Sequence, residues 1–105
     1  MSKTITTKRE ITSLLSKNAG RLEELGAKRI GLFGSFVRGE QRPHSDIDFF
    51  VEFQPRKKTF SNFMGLCFFL EELLGRKVEV VTKESLSPYI GPHILAEVEY
   101  VRLVA

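Results

Sequence analysis

The chain has 105 residues, 42% hydrophobic and 28% charged, which predicts one compact unit over residues 1–105 with a single modest core. Such a length leaves little spare surface for a separate substrate domain. The lone cysteine, Cys67, excludes an internal disulfide and any multi-cysteine zinc site, and a net charge of +3 suits a phosphate-bearing ligand or an acidic partner without marking either.

The opening stretch "MSKTITTKRE" is polar and has no signal-peptide core, and no apolar run approaches the ~20 residues of a membrane span. With the single thiol, this predicts a cytoplasmic protein with no membrane partner. Ile11, Leu14, Leu15, Leu22 and Leu25 then fall at helical spacing. Thr7 and Glu10 have capping-box spacing, Gly26 is a stop signal, and Gly20 is a place where that helix would break. "KRIGLFG" reads as a buried strand ending at Gly34, with Ser35 as the cap of a short helix through "FVRGE". "QRPHS" is a loop, and His44 in it is expected at the surface. "DIDFFVEF" is a strand by its aromatic and β-branched content, and "QPRKKT", with the basic run Arg56 to Lys58, is a solvated loop.

Phe60 to Leu74 carries a helical stripe of Phe63, Leu66, Cys67, Leu70, Leu73 and Leu74, stopped by Gly75. Cys67 is expected to be a buried structural thiol. "RKVEVVT" is a third strand, and Ile94, Leu95 and Val98 belong to a final short helix after Pro88. Tyr89 and His93 are expected to be packing or surface residues. The tail "EYVRLVA" fits either a strand or the end of that helix. Alternation of strands and helices predicts the α/β (α+β) class, a sheet with helices packed against it.

Two acids interrupt the most apolar strand. In a strand, Asp46 and Asp48 would share one face roughly 7 Å apart along the backbone, with Ile47 and Phe49 on the other. Two carboxylates that close stay ionised only when a cation, a basic side chain or water offsets them. The bland reading is a structural pair satisfied by loop N–H groups and Arg42. Glu79 is a lone acid in the third strand, open to pairing with Arg76 or Lys77. If its strand neighbours that of Asp46, it completes a cluster of three hard oxygen ligands suited to Mg²⁺. Few histidines and one cysteine make zinc a poor alternative. Upstream, the glycine of Gly34-Ser35 lets a phosphate approach the backbone, while a helix start and the Ser35 hydroxyl offer donors to it. Arg38 either adds charge to a phosphate or pairs with Glu40. Other phosphate motifs fail: Glu40 and Gln41 stand where a Walker loop needs Lys and Ser or Thr, and Gly31 and Gly34 do not fit a dinucleotide fingerprint.

Gly34-Ser35, ten intervening residues, then Asp46-Ile47-Asp48 in an apolar strand resembles the signature of the DNA polymerase β-like nucleotidyltransferases. "GSFVRG" and "SDID" resemble in particular the minimal nucleotidyltransferases (MNT), over essentially the whole chain. The resemblance implies a nucleotidyltransferase core, a mixed β-sheet flanked by helices. It implies Asp46, Asp48 and Glu79 as catalytic residues and ligands of two Mg²⁺ ions, with Gly34, Ser35 and Arg38 binding the triphosphate of ATP or another NTP. An acceptor hydroxyl would attack the α-phosphate and expel pyrophosphate. Because MNT proteins pair with HEPN proteins in toxin–antitoxin modules, it also implies an antitoxin that moves AMP to a tyrosine of a HEPN partner, within a hetero-oligomer. The family's third acid is usually Asp, so Glu79 departs from the pattern by one methylene. That departure keeps in play a catalytically impaired MNT-fold module that neutralises its partner by direct contact, and the basic charge permits a transferase acting on RNA or a small molecule. No RNA-binding motif is present in the sequence, so a nucleic-acid partner is not indicated.

Overall fold

In the computed structural model, which describes residues 5–103, the elements run α1 (Lys8–Lys17), α2 (Ala19–Glu24), β1 (Ala27–Phe33), α3 (Ser35–Arg38), β2 (Ile47–Phe53), α4 (Phe60–Leu74), β3 (Val78–Thr82), a 3-10 turn (Lys83–Ser85), α5 (Gly91–Glu97) and β4 (Glu99–Val101). Residues 1–4 of the polar opening stretch and residues 104–105 of the tail lie outside the described residues.

Local sequence sets most of the boundaries. The Glu10 N–H donates to Thr7 Oγ1 at 3.2 Å, and the Thr7 N–H donates to Glu10 Oε1 at 3.0 Å, so the capping box at the start of α1 is made. The long first helix breaks at Asn18, two residues before Gly20. The Asn18 side-chain amide donates to the Leu14 carbonyl at 2.8 Å, a local bond that competes with the helix ladder. Thr59 accepts the Asn62 N–H at 3.0 Å at the start of α4, and Gly75, with φ +66°, closes its end. Of the tail, Glu99–Val101 forms a strand, β4, which pairs with β1.

The sheet has the order β3-β2-β1-β4, with β2 and β3 parallel and the other pairs antiparallel. It is therefore the expected mixed sheet flanked by helices. Ile30, Leu32, Ile47, Phe49 and Val51 point to one face and pack against Ile11, Leu15, Leu22, Leu66 and Leu70 of α1, α2 and α4. Each such side chain, once buried, contributes on the order of 1.5–3 kcal/mol. The strand period of two sends Asp48, Phe50, Glu79 and Val81 to the opposite face. There the Phe50 ring meets the Tyr100 ring edge-on, with centroids 6.4 Å apart. Val98 and Glu99 cross Gly31 so closely that a Cβ at that glycine would strike them.

Four expectations need correction. The strand β2 begins at Ile47, so Asp46 lies in the loop before it and strand alternation does not fix its direction. Gly34, not Ser35, is the N-cap of α3; Ser35 is the first residue of that single turn. Cys67 is half-buried rather than fully enclosed, because its position on α4 faces the edge of the core. Arg76 does not pair with Glu79. Its guanidinium donates to the carbonyls of Ser45 (2.6 Å), Arg42 (2.9 Å) and Ile5 (2.9 Å), and its charge lies 5.1 Å from the Phe36 ring centroid.

Candidate active site

Strand register builds the site. Phe33 of β1 lies opposite Asp48 of β2, and Asp48 lies opposite Glu79 of β3. Neighbouring strands are about 4.8 Å apart, so in-register partners project side by side from one face. Both carboxylates line a cleft of about 440 Å³. Phe33, Gly34, Arg38 and Val81 extend its walls, and Ile90, His93, Ile94 and Glu97 close it from the side of α5. At the end of β1 the chain turns through Gly34 at φ +81°, and a Cβ there would collide with Asp48 Oδ2. Only glycine permits both that backbone conformation and the close approach of the carboxylate.

The electrostatics of the cleft are lopsided. The Asp48 pKa is pushed up to about 6, first by burial, then by the negative charges of Glu79 and Asp46 and a hydrogen bond with Glu79; the Arg38 charge acts in the opposite direction. Among the described residues, Asp46, Asp48 and Glu79 take part in no ion pair. Asp46 is exposed and stands outside the walls of the cleft, although its charge is felt by Asp48. The structure thus brings Asp48 and Glu79 together and leaves Asp46 beside them. Among the described residues no three His, Cys, Asp or Glu side chains are grouped closely enough to hold a metal ion. The donor chemistry nonetheless fits Mg²⁺: hard carboxylate oxygens, mutually repelling, with no ion pair to a cation among the described residues.

Arg38 pairs with Glu40, as one sequence reading allowed, and also with Glu97. Its Nε donates to Glu40 Oε1 at 2.7 Å. Its Nη1 donates to Glu97 Oε1 at 3.0 Å and to Glu97 Oε2 at 2.9 Å. The Gly34 N–H also donates to Glu97 Oε1. The Gly34 N–H, then Arg38, hold the Glu97 carboxyl below the usual glutamate range, against the opposing effect of burial. An anion therefore already sits where the sequence places a phosphate. Ser35, half-buried at the start of α3, is next to this seat but not in the cleft wall. Sequence reasoning missed Glu97 and the placement of His93 in the wall. Their i, i+4 spacing on one face of α5 was the available signal.

The loop that delivers Asp46 is clamped from below by Arg76, whose Nε and Nη2 both reach the Ser45 carbonyl, at 3.2 and 2.6 Å. The same loop is closed on itself by the Arg42 N–H donating to Ser45 Oγ at 2.8 Å.

Residues 15–101 match the family model of the nucleotidyltransferase domain. The chain belongs to that family. A protein adenylyltransferase of Thermococcus cleftensis, MntA, is 42% identical over 93 residues, spanning 88% of this chain and 93% of its own. A Methanocaldococcus jannaschii protein, provisionally named a protein adenylyltransferase, is 41% identical over 95 residues, spanning 88% and 95%. Among solved structures, one provisionally described as a minimal nucleotidyltransferase superposes with a TM-score of 0.70 at 34% identity, covering 88% of this chain and 89% of that one. The fold is also shared with the toxin–antitoxin MntA–HpeT, at a TM-score of 0.65 and 22% identity, covering 92% and 73% of the two chains. The nucleotidyltransferase reading and its fold are thus met. No helix among the described residues is long and apolar enough to cross a membrane.

Proposed function

We propose that this cleft transfers a nucleoside monophosphate, AMP from ATP, to a hydroxyl acceptor, and that the acceptor is a tyrosine of a HEPN-type partner toward which the protein acts as antitoxin. The single observation that carries the transferase reading is the in-register pair Asp48 and Glu79 facing Gly34 and Arg38 across one cleft. The choice of acceptor is supported by relatives: the Thermococcus cleftensis protein is named a protein adenylyltransferase, and this fold recurs in a chain of the structure of a tri-AMPylated Shewanella oneidensis HEPN toxin in complex with an MNT antitoxin. ATP as the donor is supported by another toxin–antitoxin structure of the same fold, solved with AMP-PNP.

The chain's own groups divide the work. The Gly34 N–H and the Arg38 guanidinium donate to phosphate oxygens, with the Ser35 hydroxyl beside them. Asp46, Asp48 and Glu79 would hold two Mg²⁺ ions. When bound, these ions neutralise phosphate charge and favour the ionised acceptor. In the transfer, the acceptor oxygen forms a bond to the α-phosphorus and the bond to the β-phosphate oxygen breaks, releasing pyrophosphate. The hydroxyl proton passes to water in the open cleft beside Glu79, the more exposed of the cleft's acid pair. The apolar wall of Ile90 and Ile94 orients the nucleotide opposite the acids. Catalysis is then positioning and charge neutralisation, as in other phosphoryl transfers.

The test is incubation of the protein with α-labelled ATP, Mg²⁺ and a HEPN-type protein. Label on the HEPN protein, lost on Asp48→Asn, is the expected result. Label found instead on RNA or a small molecule would redirect the acceptor while keeping the transferase.

A further inference from the structure

We infer that Glu97 is a built-in competitor for the nucleotide: its carboxylate occupies the phosphate seat formed by the Gly34 N–H and Arg38, and it must swing out before a triphosphate can bind. The inference rests on the reading of the cleft as a nucleotide site. Three hydrogen bonds hold the carboxylate there, one from the Gly34 N–H and two from Arg38 Nη1, at 3.0 and 2.9 Å. A guanidinium and a backbone N–H are the donors that recognise a phosphate oxygen equally well. The seat therefore binds an anion, and the anion bound to it comes from the chain itself, 63 residues further on.

Charge makes the competition exclusive. With Glu97 in place, the cleft presents Asp48, Glu79 and Glu97 against the single guanidinium of Arg38. A polyphosphate entering beside it would meet like charge and find the donors taken. Glu97 is the last residue of α5, and its side chain is 25% exposed, so rotation about its own bonds carries the carboxylate into water without moving the helix. Apparent affinity for ATP is then the intrinsic affinity multiplied by the fraction of molecules with Glu97 out. Anything that holds Glu97 out, such as a partner seated over α5, raises that fraction.

The experiment is calorimetric titration of MgATP, and separately of inorganic tripolyphosphate, into the wild type, Glu97→Gln and Glu97→Ala, with circular dichroism confirming that each is folded. Both variants are expected to bind both ligands about tenfold more tightly than the wild type. Equal or weaker binding by folded variants overturns the competitor role and leaves the nucleotide site standing. Absence of ATP binding in all three proteins overturns both. A second measurement needs no variant: the carboxyl carbon resonance of Glu97 and the amide resonance of Gly34 should both shift in the wild type when tripolyphosphate saturates it. A Glu97 resonance that stays fixed while the ligand binds overturns the displacement.

Discussion

Asp48 of β2 and Glu79 of β3 are register partners, two carboxylates side by side on the sheet face that does not pack against the main core. A sheet selected only for stability would not keep such a pair, because like charges opposite one another destabilise a ladder.

The first consequence is a pH-dependent instability. Asp48 has a folded pKa of about 6 against an ordinary value of 3.8, with burial as the largest cause. Between those values the folded state holds a proton that the unfolded chain has released. Stability from this group therefore falls as pH rises through the window and is fully lost above about pH 6. In EDTA at pH 7, Asp48→Asn is predicted to be more stable than the wild type by roughly 1–2 kcal/mol, a figure discounted because Asp48 is half exposed. The difference should vanish below about pH 4. Urea titrations across pH measure it, and a variant less stable than the wild type at pH 7 would count against the account.

Divalent cations should relieve the same repulsion. Adding Mg²⁺ is predicted to raise the melting temperature, with about 2.7 kcal/mol of added stability at a hundredfold excess over Kd. The gain should disappear in Asp48→Asn and shrink in Glu79→Gln. An identical shift in all three proteins would place the ion elsewhere.

Gly34→Ala tests the close approach at the end of β1. The new methyl would strike Asp48 Oδ2 and force a φ of +81° on a residue that resists it. The substitution should cost on the order of 1–3 kcal/mol of stability and lower transfer about a hundredfold. Thermal melts and labelling rates read the two effects separately, and normal transfer by the variant would refute the geometry.

Arg76→Lys probes the loop before Asp46. One ammonium cannot reach the Ser45, Arg42 and Ile5 carbonyls that the guanidinium spans. A loss of about 1–3 kcal/mol is expected from the unmet carbonyls, together with slower transfer. Hydrogen exchange should quicken at the Ser45 amide, which bonds to the Arg42 carbonyl at 3.0 Å; unchanged exchange would show that the loop does not depend on Arg76.

Much of this was legible in the sequence because its determinants are local. Thr59 and Gly75 bracket α4 with their own cap chemistry, and Gly34 with Asp48 belongs to a strand–turn–strand segment short enough to read directly. What escaped or stayed conditional depends on contacts between distant parts of the chain. The neighbourhood of Asp48 and Glu79 was a conditional expectation, which the family resemblance favoured, because it requires parallel pairing of β2 with β3 and no local pattern specifies that. Nor does a local pattern specify Glu97 against Gly34 or Arg76 against the Arg42–Ser45 loop. Asp46 was drawn into the strand by its neighbours' apolar run, whereas the ladder starts one residue later. The break of the first helix, expected at Gly20, falls two residues earlier at Asn18, whose side chain bonds to the Leu14 carbonyl.

The most direct measurement is transfer of label from α-labelled ATP to the HEPN protein by wild type, Asp48→Asn and Glu79→Gln at equal concentration with Mg²⁺. The account predicts label with the wild type, none above background with Asp48→Asn, and a strongly reduced rate with Glu79→Gln. Undiminished label with Asp48→Asn would contradict it, because the cleft would then not be where the chemistry occurs.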